Sequence, residues 1–358
     1  SYLDENTLVV SSDFGENTMT TSGYPCQVKM WKRGTPLKDA KLLFEGEKND
    51  VSCSGYVVRD GEKVFLMINR GITFYSGHQF VWNGKQAVKL DIPEDSDVSG
   101  LLNNQLIITL KSDWTLNKDI YKQGSLVSLD FTALQRGEKK IQLLFQPDEF
   151  SSVSGVSSTK NKILVNVLSN VKSELYTYAF ESGKWVAEKI KAPDFGTIYL
   201  NDTDEFSDEF FFTYSNFLTP PTLYAANASD KTIKPYKSLP AFFDASKYKV
   251  EQFKARSKDG AMIPYFVVSS KKIKYDGTNP TLLYAYGGFE VPMLPFYNGV
   301  TGNAWLENGG VYVLANIRGG GEFGPKWHQG GLKEKRKTVY NDFHAIEEEL
   351  ISKKINSE

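Results

Sequence analysis

Through the first two thirds of the chain, apolar residues fall in short runs, some alternating with polar residues and some continuous, and nearly every run ends at Gly, Asn, Asp or Ser. TLVVSSDF, KVFLMINRG, QLIITLK, KILVNVL, SELYTYAF and EFFFTYS are examples. Side chains of a strand point alternately to its two faces, and the β-branched and aromatic content of these runs suits a pleated, half-buried surface. Helical periodicity is almost absent before Tyr236. The pattern predicts many short strands joined by tight turns. Clusters of runs start near Thr7, Gly55, Gln105, Lys162 and Glu209, a spacing of about 40 to 50 residues that suits four-stranded propeller blades. The repeats differ in sequence, so spacing alone leaves a pair of β-sandwiches open.

The text changes between Leu239 and Tyr248, where PAFFDASKYK carries a proline and an aromatic cluster. A domain boundary is placed here, with residues 1–245 strand-rich and residues 246–358 of another kind. Lys249 to Ala255 and Met262 to Val268 alternate and flank SKDG, whose Asp-Gly step is a strong hairpin signal. Thr281 to Tyr286 and Gly310 to Ile317 are short apolar runs closed by glycines, the marks of buried strands. A glycine-rich loop follows, Gly319 to Gly324. Beyond it Val339, Phe343, Ile346 and Leu350 fall on one face of a helix expected to reach Lys354. Strand, loop, strand, loop, helix is α/β organisation.

Several strings in order, YGGF (Tyr286 to Phe289), ANIRGGGEFG (Ala315 to Gly324), WHQGG and YNDF, resemble the prolyl oligopeptidase family of serine peptidases. Upstream, DFGENTMTTSGYP, KMWKRGTPL, SDEFFFTYSNFLTPPTLY and VEQFKARSKDGAMIPYF resemble its bacterial branch, so the likeness covers nearly the whole chain. The resemblance turns the balance to a partial β-propeller, about five blades visible, followed by the first half of an α/β-hydrolase domain. The family's propeller has seven blades, which implies that about two precede Ser1. The implied activity is that of a serine-type oligopeptidase hydrolysing short peptides on the carboxyl side of proline, with the propeller gating access. The resemblance also implies roles for two residues. Tyr286 would donate its hydroxyl to the oxyanion, and Phe289 would line the pocket for the proline side chain.

A serine hydrolase presents its nucleophile on a sharp strand-to-helix turn beside a histidine base. Neither G-x-S-x-G nor the family's GGSNGG occurs, and His78, His328 and His344 all precede the place where the family puts its serine. The catalytic Ser, Asp and His are therefore expected beyond Glu358, in the remainder of the same enzyme chain, and the present chain alone is expected to be inactive. Gly319 to Gly324 satisfies G-x-G-x-x-G with Asp342 some way on, which invites a dinucleotide-binding reading. In such a site the helix begins inside the loop, whereas GPKWHQGGLKEK keeps the chain irregular. A tight turn fixed by an Arg318–Glu322 ion pair is expected instead. Asp342 is expected near a helix start, Trp327 and His328 in packing, and His344 in solvent. Lys333, Lys335, Arg336 and Lys337 are expected at the surface, as are Lys271, Lys272 and Lys274.

The formal net charge of -1 supplies no global field for nucleic acid or an anionic membrane, and no apolar run is long enough to span a bilayer. Cys26 and Cys53 lie in no metal-ligand or redox spacing and are expected as thiols. HExxH, paired CxxC and the EF-hand loop are missing, so neither metal nor cofactor is expected. The first residues carry no basic n-region or signal-peptide core, and the cytoplasm is the expected compartment. The rival reading is a non-catalytic propeller that binds partners. An NAD-dependent oxidoreductase comes third.

Overall fold

The structure, a computed structural model, describes residues 1–357. Up to Leu239 it consists of five four-stranded sheets, each a meander in chain order. The first holds β1 (Tyr2–Asp4), β2 (Thr7–Val10), β3 (Gln27–Lys32) and β4 (Lys41–Glu45). The second holds β5 (Ser52–Asp60), β6 (Lys63–Thr73), β7 (Ser76–Trp82) and β8 (Ala87–Lys89). In the third, β9 (Asp97–Leu102) and β10 (Gln105–Thr109) are followed by an inserted hairpin, β11 (Trp114–Leu116) and β12 (Asp119–Tyr121). The sheet then resumes with β13 (Leu126–Asp130) and β14 (Ile141–Phe145), and the short helix α1 (Phe131–Leu134) lies between these two. The fourth holds β15 (Ser151–Ser158), β16 (Ile163–Ser169), β17 (Lys172–Glu181) and β18 (Lys184–Ile190). The fifth holds β19 (Thr197–Thr203), β20 (Glu209–Ser215), β21 (Thr222–Asn227) and β22 (Ile233–Ser238). These are the blades that the spacing of apolar runs predicts.

The turns follow from residue type. β9 and β10 are joined by Asn103 and Asn104, both in the left-handed region (φ 52 and 59), a two-residue connection whose twist suits an antiparallel pair. The Asp60 carboxylate accepts from both of their backbone N–H groups at 2.7 Å. Each sheet nevertheless begins earlier than the apolar runs indicate. Both β15 and β19 are sheet-edge strands: SSVSGVSS of β15 is mostly small and hydroxyl residues, and in TIYLNDT of β19 the short apolar stretch of Ile198, Tyr199 and Leu200 gives way to polar residues, so neither leaves a long apolar run.

By compactness the chain forms two units. Ser1–Gln146 with Phe180–Lys184 is one, and Pro147–Ala179 with Trp185–Glu358 is the other. The first contains a core around Met67, Leu106, Ile108, Leu129 and Phe131. The second carries the fourth and fifth sheets and a mixed sheet of β23 (Tyr248–Arg256), β24 (Met262–Ser270), β25 (Thr281–Tyr284) and β26 (Val311–Ala315), in the order β23-β24-β26-β25. β24 is antiparallel to both neighbours, and β25 runs parallel to β26.

The sequence VYVLA makes β26 the centre of this half, because all five residues are buried. Val311, Val313 and Ala315 face the apolar stripe of helix α3 (Arg336–Ser352), meeting Val339, Ile346 and Leu350. Tyr312 and Leu314 point the opposite way and join Leu168, Phe217 and Phe266. One strand thus ties α3 on one face to residues of the fourth sheet on the other. β25 is an edge strand, and its Leu282 and Tyr284 remain about half exposed.

Candidate functional site

Tyr286 leaves the C-terminal end of β25 on a turn whose backbone is unusual: Gly287, Phe289 and Glu290 all lie in the left-handed region, with φ of 63, 52 and 58. Gly287 is required twice over. Besides its φ, a Cβ there would stand 2.7 Å from Ile317 Cγ1 and 3.0 Å from the Arg318 carbonyl. Gly319 (φ 94) presses on the Gly287 carbonyl, and the Cβ position of Gly331 is 2.7 Å from the Gly319 nitrogen. YGGF, RGGG and HQGG are therefore three backbones packed at one point, and this is what the glycines are for. The dinucleotide reading fails accordingly, since helix α2 (Pro325–Gln329) starts only after the loop and is five residues long.

Arg336 is exposed, as expected, but it also has a structural task. It starts α3 and sends Nη1 to the Gly287 carbonyl at 2.5 Å, a charge-assisted bond that pins the turn. Tyr286 is 45% exposed, and its hydroxyl has no partner among the described residues, while Phe289 on the same turn is 75% exposed. Trp327 donates Nε1 to the Ile317 carbonyl at 3.2 Å beneath this turn, and His328 is buried with Nδ1 4.0 Å from Glu290. His344 sits at the surface beside Glu347. Next to the turn is a cavity of about 450 Å³, walled by Val291, Pro292 and Leu294 on one side and by strands β15 and β19 on the other.

Arg318 does not pair with Glu322. It makes a two-point contact with Asp342 (Nε–Oδ2 2.9 Å, Nη2–Oδ1 2.6 Å) and another with Asp259 (2.6 and 3.1 Å). Ser257 Oγ also donates to Asp342 at 2.6 Å. Asp342 lies in mid-helix, fully buried, rather than near the helix start. Hydrogen bonding from Arg318 holds the Asp259 carboxyl below the usual carboxylate range, and the two acids raise the Arg318 guanidinium above its ordinary value. The network joins the β23–β24 turn, the end of β26 and α3.

Glu322, 1% exposed, occupies a different site. Its Oε1 accepts from the Met293 N–H at 2.8 Å and from Asn316 Nδ2 at 3.4 Å, while Oε2 has no partner among the described residues. Burial pushes its carboxyl up to about 7, and no ionised neighbour contributes to the shift. A carboxyl raised on folding favours the fold fully below its unfolded pKa, near 4.5, and that contribution is lost as pH rises through about 7. The loss expected across this window is about 3 kcal/mol. Urea midpoints should therefore fall between about pH 5 and pH 8, and Glu322→Gln should flatten the fall. An unchanged slope in the variant would assign the dependence to other groups.

A meander-built propeller that leads into a mixed sheet, with a tyrosine at the end of its edge strand and a glycine-locked turn behind it, defines a propeller-bearing α/β hydrolase. Residues 3–239 match the family described as prolyl oligopeptidase, N-terminal beta-propeller domain, and residues 301–358 match the prolyl oligopeptidase family. The chain belongs to the prolyl oligopeptidase family. It is 42% identical over 366 residues to an uncharacterised peptidase of Sinorhizobium fredii, covering 100% of this chain and 50% of the relative. It is 36% identical to a prolyl endopeptidase of Elizabethkingia miricola, covering 97% of this chain and 48% of the relative. Among solved structures, a post-proline cleaving enzyme from Rickettsia typhi superposes with a TM-score of 0.92 at 33% identity, covering 99% of this chain and 53% of that one. The chain thus spans about half the length of the relatives it matches.

Proposed function

We propose that this chain supplies the propeller and the oxyanion side of a serine oligopeptidase that cleaves short peptides after proline. The observation that carries the reading is the Tyr286 hydroxyl, without a partner among the described residues and projecting from the end of β25 on a turn locked by Gly287, Gly319 and Arg336. The turn that carries this donor is fixed before substrate arrives, so the backbone need not rearrange when charge develops. When a serine attacks the peptide carbonyl, the oxygen gains negative charge and Tyr286 donates its O–H to it. The serine, its base and a second donor lie outside the residues described. Phe289, exposed on the same turn, gives the rigid proline ring an aromatic face. The neighbouring cavity, bordered by the edge strands β15 and β19, offers room for an extended peptide.

The test compares the 358-residue chain with the complete gene product that contains it. Both are treated with a serine-reactive fluorophosphonate and with a chromogenic proline peptide. The complete product should label and turn over, and the 358-residue chain should do neither. Labelling of the shorter chain would reveal a nucleophile within it. A complete product that binds peptides and leaves them intact would favour the binding module.

A further inference from the structure

Residues 291–298, directly after the Tyr286 turn, form neither helix nor strand, yet Leu294 and Pro295 are buried. Buried irregular backbone needs partners for its N–H and C=O groups, and Pro292 and Pro295 stiffen the segment while removing two donors. The partners come from side chains on two sides. On the hydrolase side Glu322 accepts from the Met293 N–H at 2.8 Å, and Asn316 Nδ2 donates to the Met293 carbonyl at 2.6 Å. On the propeller side Thr197 Oγ1, at the start of β19, donates to the Pro295 carbonyl at 2.6 Å. Ser215 Oγ, at the end of β20, accepts from the Tyr297 N–H at 3.1 Å. All four side chains are buried. A further link joins the two sides, as Ser152 Oγ of β15 donates to the Glu322 carbonyl at 3.0 Å.

The strap is joined to the turn with little slack. The Val291 N–H donates to the Gly288 carbonyl at 3.0 Å and the Glu290 N–H to the Gly319 carbonyl at 3.3 Å. Phe289 and Glu290 are already in the left-handed region, and Gly321 leaves no room beside the Glu290 carbonyl. A shift of the strap is therefore passed to the Tyr286 turn through these bonds at Gly288 and Gly319.

We infer that Thr197, Ser215 and Glu322 are positioning residues for the oxyanion donor, so that the last two propeller blades set the placement of Tyr286 through the strap. The inference rests on the oxyanion role proposed for Tyr286. It explains why buried hydroxyls of the blades are spent on an irregular segment when apolar residues would pack as well. Thr197 and Ser215 touch no substrate in this reading and act only through the turn.

The experiment is a double-mutant cycle in the complete gene product, read as kcat and KM on a proline peptide. Thr197→Val keeps the shape of the side chain and removes the donor. It should lower kcat about tenfold, the scale of a sub-ångström misplacement, with KM changed less than about twofold. Thr197→Ser should restore the rate. In a Tyr286→Phe background, Thr197→Val should change kcat less than about twofold, because the group it positions is gone. A role confined to stability would give the same loss in both backgrounds, and that additive result would overturn the inference, as would a silent Thr197→Val. If Tyr286→Phe itself has no effect, the oxyanion reading fails and the positioning role with it. Should Thr197→Val not fold, Ser215→Ala removes the second anchor and runs through the same cycle.

Discussion

Tyr286→Phe in the complete gene product is expected to lower kcat/KM for a proline peptide by about 10- to 1,000-fold, the range for loss of one oxyanion donor. The loss should fall on kcat, because the hydroxyl is engaged only when charge develops on the carbonyl oxygen. Folding should be unaffected. The hydroxyl has no partner among the described residues, so its removal leaves no buried group unsatisfied, and Arg336 still holds the turn through the Gly287 carbonyl. Circular dichroism and urea midpoints matching the wild type, together with the kinetic loss, would meet the expectation. An unchanged rate would make Tyr286 an ordinary strand-end residue.

The second large effect is on stability. Asp342→Ala should destabilise the protein by about 3 to 5 kcal/mol, the range for breaking a buried ion pair from one side. Asp342 is fully buried and accepts from Arg318 Nε, Arg318 Nη2, the Arg318 backbone N–H and Ser257 Oγ. Without it the guanidinium, 12% exposed, keeps only Asp259 as a charged partner. The double replacement Arg318→Met with Asp342→Leu should cost less than Asp342→Ala alone, because it leaves no uncompensated charge. Urea denaturation of the three proteins decides this. A loss under about 1 kcal/mol for Asp342→Ala would mean that Asp259 carries the pairing alone.

The fold was legible where apolar side chains define it. β26 is a continuous apolar run and β16 one broken by Asn166, and of the stripe Val339, Phe343, Ile346 and Leu350, all but the half-buried Phe343 mark the face of α3 that meets β26. β15 was illegible because its small and hydroxyl residues sit at a sheet edge, and β19 because its apolar stretch is only three residues long before polar ones follow. YGGF and RGGGEFG pointed to Tyr286 and Phe289 through resemblance, but their mutual packing depends on contacts between segments distant in sequence. Arg318 was assigned the wrong partner because local spacing favoured Glu322. The correct one carried a signal that went unread: Asp342 falls between Val339 and Ile346 on the buried face, where an acid demands a cation. Thr197 and Ser215 carried none, since a serine or threonine within a strand looks alike whether it faces water or a buried carbonyl.

The meeting of Gly287, Gly319 and Gly331 bears on how such a sequence drifts. Two touching side chains exchange volume, one growing as the other shrinks, and leave a record of correlated change. Three glycines hold no volume to exchange, and a methyl at any one of them strikes backbone, at the Arg318 carbonyl, the Gly287 carbonyl or the Gly319 nitrogen, which no smaller side chain elsewhere relieves. These positions are tightly interdependent, yet correlated substitution will not reveal it. Their coupling is written only as the absence of a side chain at three separate places in the chain.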